Sequence, residues 1–308
     1  MKYLFSAMLL SLVSCAGTKN SDRPVPKADE EGAFVTVRDG TKLFLYHHQP
    51  KETSSSTIYI LSGITGTNHN AEKDVIEALA DRKNRVVVIH PRGTGYSEGK
   101  RGDISNFSDF TSDYIEIISR DSRSVGKDHR IVLYGHSMSC AAALVVAEGL
   151  QKVDGIILVN PPYKMKNAKG MTPSVGDYIK YACYYLFAPH TPIVNMAGDP
   201  ALIENEEERR EAELRNQDSL LVKYFSLYCM VEARKMMDGM VECARRAKHP
   251  LFLVYGTDDS IVDRSGCDEI FSAWGSSNKR FETVAKGPHG KLTVLKSIEQ
   301  IQNWINHL

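Results

Sequence analysis

The sequence lacks an excess of charge of either sign. Its 308 residues carry 38 lysines and arginines against 38 aspartates and glutamates, so the formal net charge is zero. Nucleic-acid-binding proteins need a basic surface to neutralise phosphates, so this balance argues against such a partner. The length and the 42% hydrophobic content suffice for one large core, or for a core with a small accessory domain.

The sequence also lacks a disulfide framework and the cysteine spacing of a metal site. Five cysteines lie beyond the first twenty residues, and they are odd in number and widely scattered: Cys140, Cys183, Cys229, Cys243 and Cys267. No pair among them has the spacing of a zinc site. We therefore expect neither a structural metal nor a cofactor.

No apolar run at the amino terminus is long enough to cross a bilayer. After Met1-Lys2, an apolar run of about ten residues extends to Val13, which suits a signal peptide rather than a transmembrane helix. The sequence Leu12-Val13-Ser14-Cys15 that ends it resembles the processing site of bacterial lipoproteins. The alternative is an ordinary signal peptide that is cut near Ala16.

The lipoprotein resemblance implies that residues 1–15 are a signal peptide and that Cys15 carries lipid. The protein would then be anchored to a membrane in the bacterial cell envelope, facing the periplasm or the outer surface. Residues 16–31 are mostly polar and contain prolines, and we predict that they form a flexible tether.

Short β-branched runs alternate with helical patterns along the rest of the chain. Eight runs are predicted as strands: Phe34–Val37, Leu43–Tyr46, Thr57–Leu61, Arg85–Ile89, Ile131–Tyr134, Gly155–Val159, Leu251–Tyr255 and Phe281–Val284. Such alternation, with glycine-rich turns at strand ends, predicts a mostly parallel eight-stranded α/β sheet flanked by helices. Its ligand site should form beyond the carboxyl ends of the strands.

Residues 161–248 interrupt this alternation after the sixth predicted strand. They contain a tyrosine-rich stretch around Tyr178–Phe187, a charged helix Glu204–Leu214 and an amphipathic stretch Leu220–Met240. We interpret the segment as a helical lid over a core of residues 32–160 and 249–308. The alternative is a peripheral insert with no role in substrate binding.

The strongest chemical signal is Gly135-His136-Ser137-Met138-Ser139, which lies between a predicted strand and a predicted helix. A Gly-x-Ser-x-Gly turn at such a corner presents the serine as a nucleophile, although Ser139 stands here in place of the last glycine. The amide of Met138 would lie at the helix start, where it can donate to an oxyanion.

A serine nucleophile needs a histidine base and an acid that orients the histidine. In a sheet with this kind of serine turn, the acid is expected just after one of the last strands, and the histidine after the strand that follows it. The seventh predicted strand is followed by two candidate acids, Asp258 and Asp259. The eighth leads into a glycine- and proline-containing loop with His289. The alternative is that His289 is simply a surface loop residue.

A second oxyanion donor is expected in the turn after the third strand. That turn reads Ser62-Gly63-Ile64-Thr65-Gly66, and Ile64 is the candidate N–H donor. The alternative is a glycine turn that merely reverses the chain.

Residues His90 to Gly102 resemble the Arg-Gly-x-Gly-x-Ser-x-Gly loop of the monoacylglycerol lipase and lysophospholipase group of α/β-hydrolases, also called serine aminopeptidase-like hydrolases. The resemblance extends over about residues 34–308 and implies the α/β-hydrolase fold. Its Gly-x-x-Asp-x-x-Val pattern falls on residues 256–262 and selects Asp259 as the acid. Three positions depart from the family pattern: Ser62 replaces a histidine, His90 an aspartate and Ser139 a glycine.

The resemblance implies hydrolysis of a carboxylic ester of a small lipid-like molecule, such as a monoacylglycerol or a lysophospholipid, without cofactor or metal. Peptidase, thioesterase and acyltransferase activities are alternatives on the same fold. An aminopeptidase would need acidic side chains for the substrate ammonium, and Glu204, Glu206 and Glu207 are candidates. A third alternative is a lipoprotein that binds a partner without turnover.

Overall fold

The computed structural model describes residues 20–28, 30–50, 54–63, 68–80, 83–166, 175–203 and 205–308, apart from the side chains of Val175, Asp177 and Leu202. The predicted signal peptide, with Cys15, lies outside the described residues. So do Ile64 and Glu204.

The central sheet confirms the predicted α/β architecture. Its eight strands are β1 (Ala33–Thr36), β2 (Lys42–His48), β3 (Ser56–Leu61), β4 (Asn84–Ile89), β5 (Arg130–His136), β6 (Gly155–Val159), β9 (Leu251–Gly256) and β10 (Lys279–Val284). They lie in the order β1-β2-β4-β3-β5-β6-β9-β10, and every neighbouring pair from β4 to β10 is parallel. Strands β1 and β2 form an antiparallel edge.

Helices cover both faces of the sheet. The core helices are α1 (Lys73–Ala80), α2 (Phe107–Ser122), α3 (Ser139–Gly149), α8 (Arg264–Ala273), α9 (Lys291–Lys296) and α10 (Ile298–Asn306). In β3, Tyr59 and Leu61 pack on one face, and Ile58 and Ile60 pack on the other. All four side chains are buried, which explains why the central strands are continuously apolar in sequence.

Residues 161–248, called the insert below, follow β6. The insert contains the helices α4 (Val175–Phe187), α5 (Glu206–Gln217), α6 (Leu227–Asp238) and α7 (Met240–Arg246). It is not wholly helical, because β7 (Pro192–Asn195) and β8 (Tyr224–Ser226) form an antiparallel pair. Strands of four and three residues are too short to give a period in the sequence. None of the helices among the described residues has the length and apolar character needed to cross a bilayer.

A buried aspartate joins the insert to the core. Asp103 accepts hydrogen bonds from the hydroxyl of Ser226, at 2.6 Å, and from Nδ1 of His190, at 3.1 Å. The amide of Ser226 also donates to the carbonyl of Gly102 at 2.8 Å. A buried carboxylate is stable where several donors surround it, so these bonds fix the β7–β8 pair against the core.

The segment predicted as a flexible tether is described from Asn20 onward, and there it lies against the folded protein. The Asn20 side chain accepts from the amide of Tyr224 at 2.9 Å and donates to the Tyr224 carbonyl at 2.7 Å. It also donates to the carbonyl of Arg101 at 3.2 Å. Farther along, Glu30 accepts from the hydroxyl of Tyr96 at 3.0 Å. This arm, residues 20–28 and 30–31, therefore contacts both the insert and the core.

Two stacked histidines lie between the arm and the core. His90 Nδ1 accepts the amide of Tyr96 at 3.2 Å, so the proton of the neutral His90 ring is on Nε2 and is donated to His69 Nδ1 at 3.1 Å. His69 Nε2 in turn donates to Glu30 at 2.7 Å. Burial, with a smaller effect of neighbouring His69, lowers the pKa of His90 to about 3.

We expect the free energy of unfolding to decrease as the pH falls below 6.5. In the folded state the pKa of His90 lies below its ordinary value of 6.5. Just below pH 6.5 the His90 ring is therefore protonated in the unfolded chain and neutral in the folded chain. At pH 5.5 this one ring reduces stability by about 1.4 kcal/mol relative to pH 7.5.

Urea unfolding at pH 7.5 and pH 5.5 measures this effect, with His90→Asn as the control. Asparagine can accept the Tyr96 amide but does not titrate, so the stability difference between the two pH values should shrink by about 1.4 kcal/mol. An unchanged difference in the variant would contradict the role given to His90.

Candidate active site

The three residues predicted for the catalytic triad come together at one edge of the sheet. Ser137 follows β5, Asp259 follows β9 and His289 follows β10. These strands are parallel, so their carboxyl ends point to the same edge, where α/β proteins place their ligands.

The corner after β5 has the geometry of a nucleophile turn. Ser137 has a φ of 55°, in the left-handed region, and its amide donates to the carbonyl of Val159 at 2.9 Å. A Cβ on Gly135 would lie 2.7 Å from the carbonyl oxygen of Ser139, so only glycine fits at this close approach. The Ser139 hydroxyl bonds both the amide and the carbonyl of His136, at 2.7 and 2.8 Å.

Ser137, His289 and Asp259 form a continuous hydrogen-bonded row. His289 Nδ1 lies 2.8 Å from Asp259 Oδ2, and His289 Nε2 lies 2.8 Å from Ser137 Oγ. An ionised carboxylate only accepts hydrogen bonds, so Nδ1 carries the proton. Nε2 is then free to accept the proton of the Ser137 hydroxyl.

The environment of Asp259 keeps its carboxylate ionised. Burial alone would raise its pKa, but bonds from His289 and from the amides of Val262 and Ile261 outweigh burial and lower it. Asp258 is exposed, and its carboxylate accepts from the hydroxyl of Thr257 at 3.2 Å. Of the two aspartates, the structure therefore brings Asp259 to the histidine.

Three further side chains, none of them among the predicted site residues, hold the backbone of His289. The carbonyl of His289 accepts from His136 Nε2 at 2.6 Å and from Asn160 Nδ2 at 3.2 Å. The amide of His289 donates to Glu208 of helix α5. Burial, with an additional contribution from His289, lowers the pKa of His136 to about 4, so its ring is neutral and donates.

One signal in the sequence could have pointed to Asn160. It directly follows the apolar run of β6, at the edge where the other site residues gather. Its φ of 47° is rare outside glycine and is tolerated best by asparagine and aspartate. Its side-chain oxygen also accepts the amide of Gly256 at 3.0 Å, so Asn160 links β9 to the histidine loop.

Of the two candidate oxyanion donors, the structure describes Met138. Met138 precedes α3 with helical dihedral angles, so its amide lies at the start of that helix. Ile64 lies outside the described residues, but Gly63 is so close to Met138 that a Cβ on it would lie 3.3 Å from Met138 Cβ. The hydroxyl of buried Tyr114 holds both the amide and the carbonyl of Ser62, at 3.1 and 2.8 Å.

The acidic residues proposed for an aminopeptidase have no contact with His289 among those the structure describes. Glu206 and Glu207 are exposed in the first turn of α5, and Glu204 lies outside the described residues. Glu211 lies one turn farther along and contacts Gly290, and its Oε1 is buried without a hydrogen-bond partner among the described residues. Within the described part of the chain, no group of three or more His, Cys, Asp or Glu side chains is arranged to hold a metal ion.

The sheet order, the corner after β5 and the row of three side chains define an α/β-hydrolase fold. The chain belongs to the Hydrolase_4 family, described as serine aminopeptidase, S33, whose model matches residues 52–293. No match is found among curated proteins.

Solved structures of lipolytic enzymes share the fold. The monoglyceride lipase of Saccharomyces cerevisiae is similar with a TM-score of 0.74 and 16% identity, over 95% of this chain and 98% of that one. The monoacylglycerol lipase of Paleococcus ferrophilus has a TM-score of 0.68 and 20% identity, over 85% and 98%. An esterase from Exiguobacterium antarcticum has a TM-score of 0.61 and 14% identity, over 89% and 99%. At these identities the similarity shows the fold.

Proposed function

We propose that the protein is a serine hydrolase that cleaves carboxylic esters of lipid-like molecules, such as a monoacylglycerol or a lysophospholipid. The observation that carries the proposal is the row Ser137–His289–Asp259, with both distances at 2.8 Å and the serine on a left-handed corner. A base within hydrogen-bond reach of the nucleophile, and oriented by a third group, is the arrangement that activates a serine.

In the proposed reaction, the Ser137 oxygen attacks the acyl carbon while His289 Nε2 takes the hydroxyl proton. The amides of Met138 and Ile64 donate to the oxyanion that forms. The carbon–oxygen bond to the alcohol then breaks, and His289 gives its proton to the leaving oxygen. Water, deprotonated by His289, attacks the acyl-enzyme. The bond to the Ser137 oxygen breaks and releases the acid, and His289 returns the proton to that oxygen, while Asp259 stabilises the imidazolium in both halves of the reaction.

The insert supports a lipid-like substrate, for which it acts as a lid. Helix α4 exposes a set of large apolar side chains: Tyr178, Ile179, Tyr185, Leu186 and Phe187. An exposed apolar patch of this kind is typical of surfaces that meet lipid or another apolar partner. The structures with the same fold include enzymes named monoglyceride lipase and monoacylglycerol lipase.

We also propose that lipid on Cys15 anchors the protein to a membrane of the bacterial cell envelope. Asn20 follows five positions later and bonds Tyr224 of strand β8. Five residues span at most about 17 Å, so the anchor would keep this surface close to the bilayer. Helix α4 leads into β7, which pairs with β8, so the exposed apolar side chains belong to the same part of the insert.

An aminopeptidase is the second candidate, because Glu211 has a buried carboxylate oxygen without a partner among the described residues. Burial raises the pKa of Glu211, and the opposing charge of Lys291 offsets part of that effect. A substrate ammonium could satisfy this oxygen, beside the histidine loop that Glu211 contacts through Gly290.

Substitution of the site residues tests the proposed chemistry. We expect Ser137→Ala to abolish hydrolysis of an aryl ester. We expect Asp259→Asn to lower kcat by about 10³- to 10⁴-fold, because asparagine lacks the negative charge that stabilises the imidazolium and its amide group favours the wrong histidine tautomer. Asp258→Asn is the matched control and should retain the activity of the wild type, since that side chain is exposed. Equal losses in the two aspartate variants would exclude the assigned acid.

A substrate panel tests the substrate class. Short- and long-chain aryl esters, a monoacylglycerol, a lysophospholipid and an aminoacyl anilide are offered to the protein without its first fifteen residues. We expect turnover of the esters with a preference for the longer acyl chains, because the insert presents apolar side chains. Turnover of the anilide alone, lost in Glu211→Gln, would establish the aminopeptidase. No turnover by folded protein would favour a binding role.

Membrane fractionation tests the anchor. The full chain expressed in a bacterium should sediment with membranes, and Cys15→Ser should release it or leave it unprocessed, because the residue that accepts the lipid is gone. Identical membrane association of both proteins, with identical processing, would contradict the lipid anchor.

A further inference from the structure

A carboxylate of the insert bonds the two loops that carry the acid and the histidine of the candidate triad. Glu208 lies in the first turn of helix α5, and its Oε1 accepts the backbone amide of His289. Its Oε2 accepts the hydroxyl of Ser260 at 3.3 Å, and Ser260 directly follows Asp259. One side chain therefore joins the acid loop, the histidine loop and the insert.

The start of helix α5 directs Glu208 to this position. The side chain of Asn205 caps the helix by accepting the amide of Glu208 at 3.0 Å. A glutamate at the third helical position commonly reaches back to the amide of its own cap residue. Here both carboxylate oxygens are bonded to the loops of the site, so the side chain does more than cap the helix.

The histidine loop is held between the core and the insert. On the core side, the carbonyl of His289 accepts from His136 and Asn160. On the other side, its amide is bonded by Glu208. Gly287 and Gly290 flank this part of the loop, so its backbone has wide conformational freedom unless such bonds restrict it.

We infer that Glu208 is a positioning residue for His289, and that contact of helix α5 with the histidine loop completes the alignment of the triad. This inference rests on the proposed function. Glu208 acts through the backbone of His289 and does not touch the reacting atoms. Because a small displacement of a catalytic group reduces rate strongly, loss of this contact lowers the rate of the chemical step rather than the affinity for substrate.

Four variants test whether the hydrogen bond from the His289 amide to Glu208, rather than the charge of helix α5, sets the rate. Glu208→Ala removes the acceptor, whereas Glu208→Gln keeps a carbonyl oxygen that can accept the His289 amide. Glu213→Ala removes an exposed carboxylate from the same helix and serves as the control. Ser260→Ala is a milder variant at an exposed position that removes the hydroxyl bonded to Oε2.

Two rates are measured on each variant: hydrolysis of a soluble short-chain aryl ester, and the reaction of Ser137 with a small fluorophosphonate that makes few contacts with the insert. We expect Glu208→Ala to lower kcat and the fluorophosphonate rate together by about 10- to 100-fold, with KM within about threefold of the wild type. Glu208→Gln should recover most of both rates, and Glu213→Ala should match the wild type.

Other outcomes overturn the inference. If Glu208→Ala raises KM alone, or leaves the fluorophosphonate rate unchanged, Glu208 lines the substrate site without positioning His289. If Glu208→Ala does not fold, Ser260→Ala decides, and unchanged rates in that variant count against the inference. If the folded wild type fails to react with the fluorophosphonate, the proposed function itself fails, and the role of Glu208 fails with it.

Discussion

The corner between β5 and α3 is the constraint around which the site is built. Strand and helix approach so closely at Gly135 that a Cβ would lie 2.8 Å from Cys140 Cα. Ser137 then takes left-handed dihedral angles, which cost a non-glycine residue about 1 to 2 kcal/mol. Pairing of β5 with β3 and β6 on its two sides holds the corner in place and offsets that cost. The serine is therefore presented by the sheet itself rather than by a free loop.

The three departures from the family pattern each have a local partner in the structure. Tyr114 supports the backbone of Ser62, and the hydroxyl of Ser139 bonds the backbone of His136. His90 accepts the amide of Tyr96 and donates to His69. Ser139 and His90 thus hydrogen-bond their surroundings through their side chains, whereas at Ser62 it is the backbone that Tyr114 holds.

The architecture and the three residues of the row could be predicted from the sequence, because each depends on a local pattern. Runs of apolar residues revealed the strands, and His289 follows the last of them. Strand order left Asp258 and Asp259 open, and the resemblance to the family pattern selected Asp259. His136 and Glu208 could not be found in this way, and the signal for Asn160 was no more than its place directly after the apolar run of β6. Their role depends on contacts with the histidine loop from positions 153, 129 and 81 residues away, and no short motif records such contacts. The β7–β8 pair escaped prediction because its strands are too short to show alternation.

The docking of the arm has a consequence for the order in which the chain acquires its structure. The partners of Asn20 in the insert, the amides of Lys223 and Tyr224, lie 203 and 204 positions downstream. Contacts of such large sequence separation form late, since the intervening chain must first be ordered. The arm is therefore among the last parts of the chain to dock, after its partners in the insert have become ordered.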